Sequence, residues 1–353
     1  MTGPFVHHTL GQRVRFATGD AAESLAAEVQ AIGARQVMVV VGAHEAALAA
    51  RITRDLPVVL VHYEVAMHVP VAVAERARAV AAEHEADLIV SVGGGSTTGL
   101  AKAVALTSGL PVVAVPTTYA GSEATDVWGL TEGTTKTTGS DARVLPRAVV
   151  YDAELTLSLP VELSVASGLN ALAHCVDSMW APAADPINVA LATEGVRALA
   201  DGLPRIVDDP TGMSGREQVL LGAYLSAVAF ASAGSGLHHK ICHVLGGRYG
   251  LPHAQTHAVV LPYVLALNGP FAPDADARLA RAFGANTGLD GLQALRLLLR
   301  APRSLRDVGL EEAQVADAAA AVMPNVPPSN PASVTIDNLT HLLHDAWEGA
   351  DPR

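Results

Sequence analysis

Short β-branched runs separated by Ala-rich stretches of helical period constrain the first half of this chain more than any other feature. "QVMVVVG" (36–42), "PVVLVHY" (57–63), "ADLIVSVGGGS" (86–96), "PVVAVPTT" (111–118) and "RAVVYD" (147–152) are nearly continuous apolar runs. Strands read this way when both faces are covered. Between them, "AESLAAEVQAIG" (22–33) and "VAVAERARAVAAEHEA" (71–86) have helical spacing. Strand, helix, strand in repetition builds a parallel sheet with crossover helices. Past "LTLSLPVEL" (155–163) such runs become scarce. Helix-period segments follow at 164–180, 186–202, 215–233, 237–246, 258–268, 275–286, 289–300, 311–322 and 335–347, with breakers such as "DDPTG" and "PNVPPSNPAS" between them. The expected fold is an α/β domain with a parallel sheet over residues 1–158 and an all-helical domain over 159–353. A length of 353 residues suits two cores.

Charge narrows the partners. The net charge is −12 with no Lys/Arg run, which argues against nucleic acid and anionic membranes but not against a small anionic substrate held by a local cluster. No apolar run is long enough for a membrane span. "MTGPFVHHTLGQ" lacks a basic segment followed by an apolar one, so no signal peptide is expected. Cys175 and Cys242 form no CxxC pair, which fits a reducing cytosol and a cytoplasmic location.

"IVSVGGGSTTGLAKAVAL" runs from a strand through Gly93, Gly94, Gly95 and Ser96 into a helix. Glycines at such a turn let the backbone approach a ligand, and the helix N-terminus adds a positive partial charge, so the turn reads as a pyrophosphate cradle. It is neither GxGxxG nor a P-loop. A tight turn needing glycine only for shape is the plainer alternative. One strand later, Thr117 and Thr118 end a parallel strand, where ligands of open α/β sheets collect. Lys136 in "TTKTTG" is a candidate cation at the same edge, or equally a solvated loop lysine.

The second concentration of chemistry is "GLHHKICHVLGGRYGLPHAQTH" (236–257), with five of the fourteen histidines. On a helix His239 and His243 share a face, as do His253 and His257. Upstream, "SGLNALAHCVDS" sets Asn170 four residues before His174. A carboxylate at 170 would begin a divalent metal site, but an amide is a weaker, neutral ligand. HExxH is absent. Metal ligands, proton donors and partners for an anionic substrate all remain open for these imidazoles. Cys175 and Cys242 read as small core residues.

"GGGSTTGLAK", "PTTYAGSEAT", "GLNALAHCVDS" and "GLHHKICHVLGGRYGLPHAQTHA", in this order, resemble the iron-containing (group III) alcohol dehydrogenases over most of the chain. The resemblance implies an N-terminal dinucleotide-binding domain, a helical C-terminal domain and a homodimer. Where that family has an Asp in GGGSxxDxAK, this chain has Gly99; where it has a metal-binding Asp, this chain has Asn170. The family's metal histidines fall on His174, His239 and His253, and a further site histidine on His243. These departures resemble the maleylacetate reductase branch. That likeness implies reduction of maleylacetate to 3-oxoadipate by NADH or NADPH, late in bacterial aromatic degradation, with no metal required.

On that reading His243 and His253 lie nearest the reacting atoms, His243 as proton donor, with His174 and His239 completing the catalytic set. Asn170, Lys240 and His257 are the candidate contacts to the dicarboxylate. Imidazoles suit the task because a pKa of about 6.5 keeps both forms accessible near neutrality. Gly93, Gly94, Gly95, Ser96, Thr117, Thr118 and Lys136 would hold the cofactor. "VVVGAHE" has no Asp at its strand tip to reject a 2′-phosphate, so both cofactors are expected to serve. The rivals are a metal-dependent alcohol dehydrogenase of the same family, a lyase resembling dehydroquinate synthase, and a non-catalytic nucleotide-binding protein.

Overall fold

The computed structural model describes residues 4–133 and 135–352, the side chains of Thr135 and Lys136 excepted. The chain forms two compact units. One is Leu10–Leu159; the other is Pro160–Arg353 together with the described residues before Leu10.

The first unit runs β1 (Arg13–Phe16), α1 (Ala21–Ile32), β2 (Val37–Val41), α2 (Ala46–Ile52), β3 (Val58–His62), α3 (Val71–Glu83), β4 (Leu88–Gly93), α4 (Gly95–Ser108), β5 (Val112–Pro116), β6 (Val127–Glu132), β7 (Thr135–Ser140) and β8 (Ala148–Tyr151). Six strands form a parallel sheet in the order β1-β8-β5-β4-β2-β3, and β6 and β7 make a separate antiparallel hairpin. Side chains of a strand alternate between faces. Val37, Val39, Val41, Leu88, Val90 and Val92 therefore pack with Leu25 and Val29 of α1. Met38, Val40 and Ile89 pack on the other face with Ala74 and Ala77 of α3 and Leu100 and Val104 of α4. Both faces are covered, which is why these strands read as unbroken apolar runs. β1, "RVRF", escapes such a reading because it is a short edge strand with no fully buried position.

The second unit is helical: α5 (Val161–Ser178), α6 (Pro186–Asp208), α7 (Met213–Ala233), α8 (Leu237–Tyr249), α9 (His253–Asn268), α10 (Pro273–Phe283), α11 (Gly288–Leu298), α12 (Val315–Val322) and α13 (Ile336–Glu348). Asp185 caps α6 in a capping box with Asn188, with Pro186 at the first helical position. α6 and α7 approach closely along glycines. A Cβ on Gly202 would stand 2.8 Å from the Gly215 carbonyl oxygen, and one on Gly222 would stand 2.7 Å from Leu199 Cγ. Cys175 and Cys242 are buried, and burial raises both thiols above their ordinary range. The core of the far half joins Ile241 and Leu245 of α8, Val260 and Val264 of α9, Ala318 and Val322 of α12 and Leu339 and Leu343 of α13. Among the described residues no single helix is long and apolar enough to cross a membrane; α7 and α8 qualify only jointly, and they are bent by 99°.

Candidate active site

In the sheet unit, the glycine turn is shaped by what surrounds it. Gly93 has φ +148°, a conformation other residues rarely adopt, and a Cβ there would meet Thr97 Oγ1 at 2.5 Å. A Cβ on Gly94 would meet Thr118 Cγ2 at 2.9 Å, and one on Gly95 would meet Ala120 at 3.3 Å. The Thr117 N–H donates to the Gly93 carbonyl, 3.2 Å away. The two predicted cofactor segments, Gly93–Ser96 and Thr117–Thr118, are thus side by side. The residue at the start of α4, Gly94, has no side chain with which to cap it, which suits its first N–H groups to an anion. Lys136 lies on β7, and its side chain falls outside the described residues.

Gly99 has a steric reason. Its Cβ would stand 2.9 Å from Val69 Cγ2, so Val69 fills the space that a larger residue would take. A residue passed over in the sequence, Lys102, ties the threonine loop to α4. Its buried Nζ donates to the carbonyls of Ser122, Thr125 and Val127 and to Thr125 Oγ1. Burial pushes this ammonium down to about 7. The oxygens gathered round it oppose that shift by favouring the charged form. The signal was present in "GGGSTTGLAK": a lysine amid an otherwise apolar helix face.

In the helical unit, α5 carries Asn170, His174 and Asp177 at i, i+4 and i+7, hence on one face. All three are buried. Asp177 Oδ2 accepts the N–H groups of Gly236 at 3.0 Å and His239 at 3.2 Å, at the start of α8. It thereby satisfies donors that a helix start leaves without partners. The same oxygen lies 2.6 Å from His239 Nδ1. Glycine is needed at 236 because any side chain would collide with this carboxylate. Burial pushes the Asp177 carboxyl up to about 7, and these N–H donors pull it back. Sequence reading missed Asp177, although its spacing from Asn170 and His174 was visible.

The imidazoles assemble around His239. Its ring stacks on His174 at a centroid distance of 5.0 Å and meets His257 at 4.9 Å and His243 at 6.0 Å. His253, at the start of α9, is exposed and lies 4.3 Å from His257. His243 is half-buried. His257, expected as a substrate contact, is fully buried and lies 2.9 Å by Nδ1 from His238 Nε2. Cys242 Sγ is 3.6 Å from the same His238 atom. Lys240 is half-buried on α8, and among the described residues no hydrogen bond or ring contact joins it to the imidazoles.

Several buried atoms here lack a protein partner: Asn170 Oδ1, His174 Nδ1 and His239 Nε2 among them. A histidine whose Nδ1 is held by a carboxylate presents Nε2 as a ligand, a common arrangement at metal sites. The atoms of His238, Cys242 and His257 also lie within 4.8 Å of one another and could hold an ion. That trio is linked by the His238–His257 hydrogen bond, yet His238 Nδ1 and His257 Nε2 are without partners too, as are Asn170 Oδ1, His174 Nδ1 and His239 Nε2. Both sets make the site competent for a metal.

Residues 12–153 match the family described as iron-containing alcohol dehydrogenase, and residues 164–347 match its C-terminal domain. A maleylacetate reductase of Sphingobium indicum is 44% identical over 350 residues, covering 99% of each chain. The crystal structure of an iron-containing alcohol dehydrogenase from Corynebacterium glutamicum is 58% identical, with TM-score 0.98, covering 100% of this chain and 99% of that one. Maleylacetate reductase from Agrobacterium tumefaciens is 38% identical, with TM-score 0.94 and coverage of 99% and 100%. These matches and the metal-competent residues overturn the expectation that no metal is required. That expectation rested on losing one anionic ligand at 170, and it overlooked how many neutral donors converge around it.

Burial makes the cluster acid-sensitive. It holds His174 down to about 4 and His238 to about 3, and pushes His239 and His257 well below 6.5. In the unfolded chain each would take up a proton near 6.5. Stability is therefore full above pH 6.5 and is lost as pH falls from there toward 3 to 4, by on the order of 1 kcal/mol per histidine at pH 5.5. Urea unfolding should show a lower midpoint at pH 5.5 than at pH 7.5; equal midpoints would contradict the burial argument.

Proposed function

The chain belongs to the iron-containing alcohol dehydrogenase family, and from that premise we propose that it works as a maleylacetate reductase. It is an oxidoreductase acting on a small molecule. In this reading it reduces maleylacetate to 3-oxoadipate with NADH or NADPH, in the cytoplasm, as a homodimer, during aromatic-compound breakdown. The observation that carries the reading is the full-length likeness to reductases of that name, together with a site that suits a dianion. Position 170 presents a neutral amide, and Asp177 is turned to the start of α8 and to His239. An array of imidazoles without an opposing free carboxylate accommodates two carboxylates better than one with an aspartate at 170 would.

Asn170, His174 and His239, whose buried donor atoms lack a protein partner, would hold the family's iron, which when bound supplies Lewis-acid polarisation of the ketone oxygen. When bound, the reduced nicotinamide supplies a hydride to the alkene carbon β to the ketone, leaving an enolate. Gly93–Ser96 and the start of α4 hold the cofactor's pyrophosphate. His174 and His239 are buried and held neutral, so they orient and accept rather than deliver a proton. The proton that completes the product, delivered to the carbon next to the ketone, comes from His243, which is half-buried and in ring contact with His239. His253 stands at the exposed rim, where its imidazole can pair with a substrate carboxylate.

NADH oxidation, followed by absorbance with freshly generated maleylacetate, tests the reading. His243→Ala and His253→Ala should lower turnover by roughly a hundredfold or more with cofactor affinity unchanged. Near wild-type turnover in both would refute these roles. Ferrous iron added anaerobically to metal-stripped protein should raise the melting temperature, a stabilisation of about 2.7 kcal/mol at a hundred times Kd. His239→Ala should abolish that rise; a rise of the same size in the variant would remove His239 from the ligand set.

A further inference from the structure

Strand β2 ends beside the glycine turn. Val41 pairs with Val92, which brings the next residue, Gly42, level with Gly93. In open parallel sheets a dinucleotide lies across the carboxyl ends of the strands, its pyrophosphate on the glycine turn and its adenosine ribose at the neighbouring strand tip. A carboxylate at that tip accepts the two ribose hydroxyls and repels a 2′-phosphate. Gly42 has no side chain with which to do this.

Its backbone does not require glycine, since φ is −73° and ψ 161°, an ordinary extended conformation. What lies over it is the flexible end of Glu45. Residues Ala43–Glu45 form a single 3₁₀ turn, closed by the Glu45 N–H donating to the Gly42 carbonyl at 3.2 Å. In such a turn positions i and i+3 lie one above the other. Glu45 Oε2 accordingly stands 3.0 Å from where a Cβ on Gly42 would be. The carboxylate missing from position 42 is delivered to the same place from position 45.

We propose that Glu45 is the ribose-binding and cofactor-discriminating residue of this chain, giving NADH the advantage over NADPH. The inference rests on the reading that the sheet unit binds a reduced nicotinamide dinucleotide. The ribose 2′- and 3′-hydroxyls donate to the Glu45 carboxylate, and a 2′-phosphate placed there meets its negative charge. Both cofactors are used, because Glu45 sits on a half-exposed turn where water screens the repulsion. The preference is therefore ten- to a hundredfold rather than absolute. His44, the exposed neighbour in the same turn, is the group that would act in the opposite sense by pairing with the phosphate.

The test is fluorescence titration of the full-length protein with NADH and with NADPH, for wild type, Glu45→Gln and His44→Ala. The glutamine keeps the shape over Gly42, so a purely structural role would change both affinities alike. Wild type should bind NADH ten- to a hundredfold more tightly, and Glu45→Gln should cut that ratio at least tenfold, mainly by binding NADPH better. Three outcomes would overturn the inference: a wild-type preference for NADPH, a ratio within twofold of wild type in Glu45→Gln, or NADPH affinity lost in His44→Ala with Glu45→Gln silent. If wild type binds neither nucleotide, the cofactor reading itself falls.

Discussion

One buried carboxylate organises the helical unit's chemistry. Asp177 joins the end of α5 to the start of α8 by accepting two backbone N–H groups, and with the same oxygen it holds His239 Nδ1. A carboxylate without exposure is unfavourable unless its lone pairs are met; the unpaired donors of a helix start meet those of Oδ2, while Oδ1 has no hydrogen-bond partner among the described residues. The cap and the site are therefore one interaction. Loosening it would free the entry of α8, which carries His238, His239 and His243, and would release the tautomer that leaves His239 Nε2 bare.

The sheet unit uses the same economy of position. Lys102 pins the loop that presents Thr117 and Thr118, and the glycines of the turn are forced by Thr97, Thr118 and Ala120 packing against them. Each glycine thus lets a neighbouring side chain approach the backbone closely. Val69 against Gly99 shows the same coupling, in which a small residue is fixed by what leans over it.

Much of this was legible in the chain itself. Nearly continuous apolar runs located β2, β3, β4, β5 and β8, and period-3.6 patterns the long helices; β2, β4 and β5 read so because both of their faces are covered. Boundaries slipped where a cap decides them: α9 begins at His253, directly after Pro252, rather than five residues later. The histidine cluster was visible from counting. Its internal order was not, since the His238–His257 hydrogen bond and the role of Asp177 depend on how α5, α8 and α9 cross. The metal expectation failed for a related reason. One substitution at 170 was weighed without knowing that His239 is oriented from behind.

The account's central claim is that Asp177 sets the reactive form of His239. Asp177→Asn tests it most directly. The amide oxygen can take the place of Oδ2 against the α8 backbone N–H groups and His239 Nδ1, but it lacks the negative charge that fixes the imidazole from behind. Turnover should fall ten- to a hundredfold, as for other residues that orient a site histidine from behind, with NADH affinity unchanged. Turnover within twofold of wild type, in a protein that is folded and binds NADH, would contradict the account.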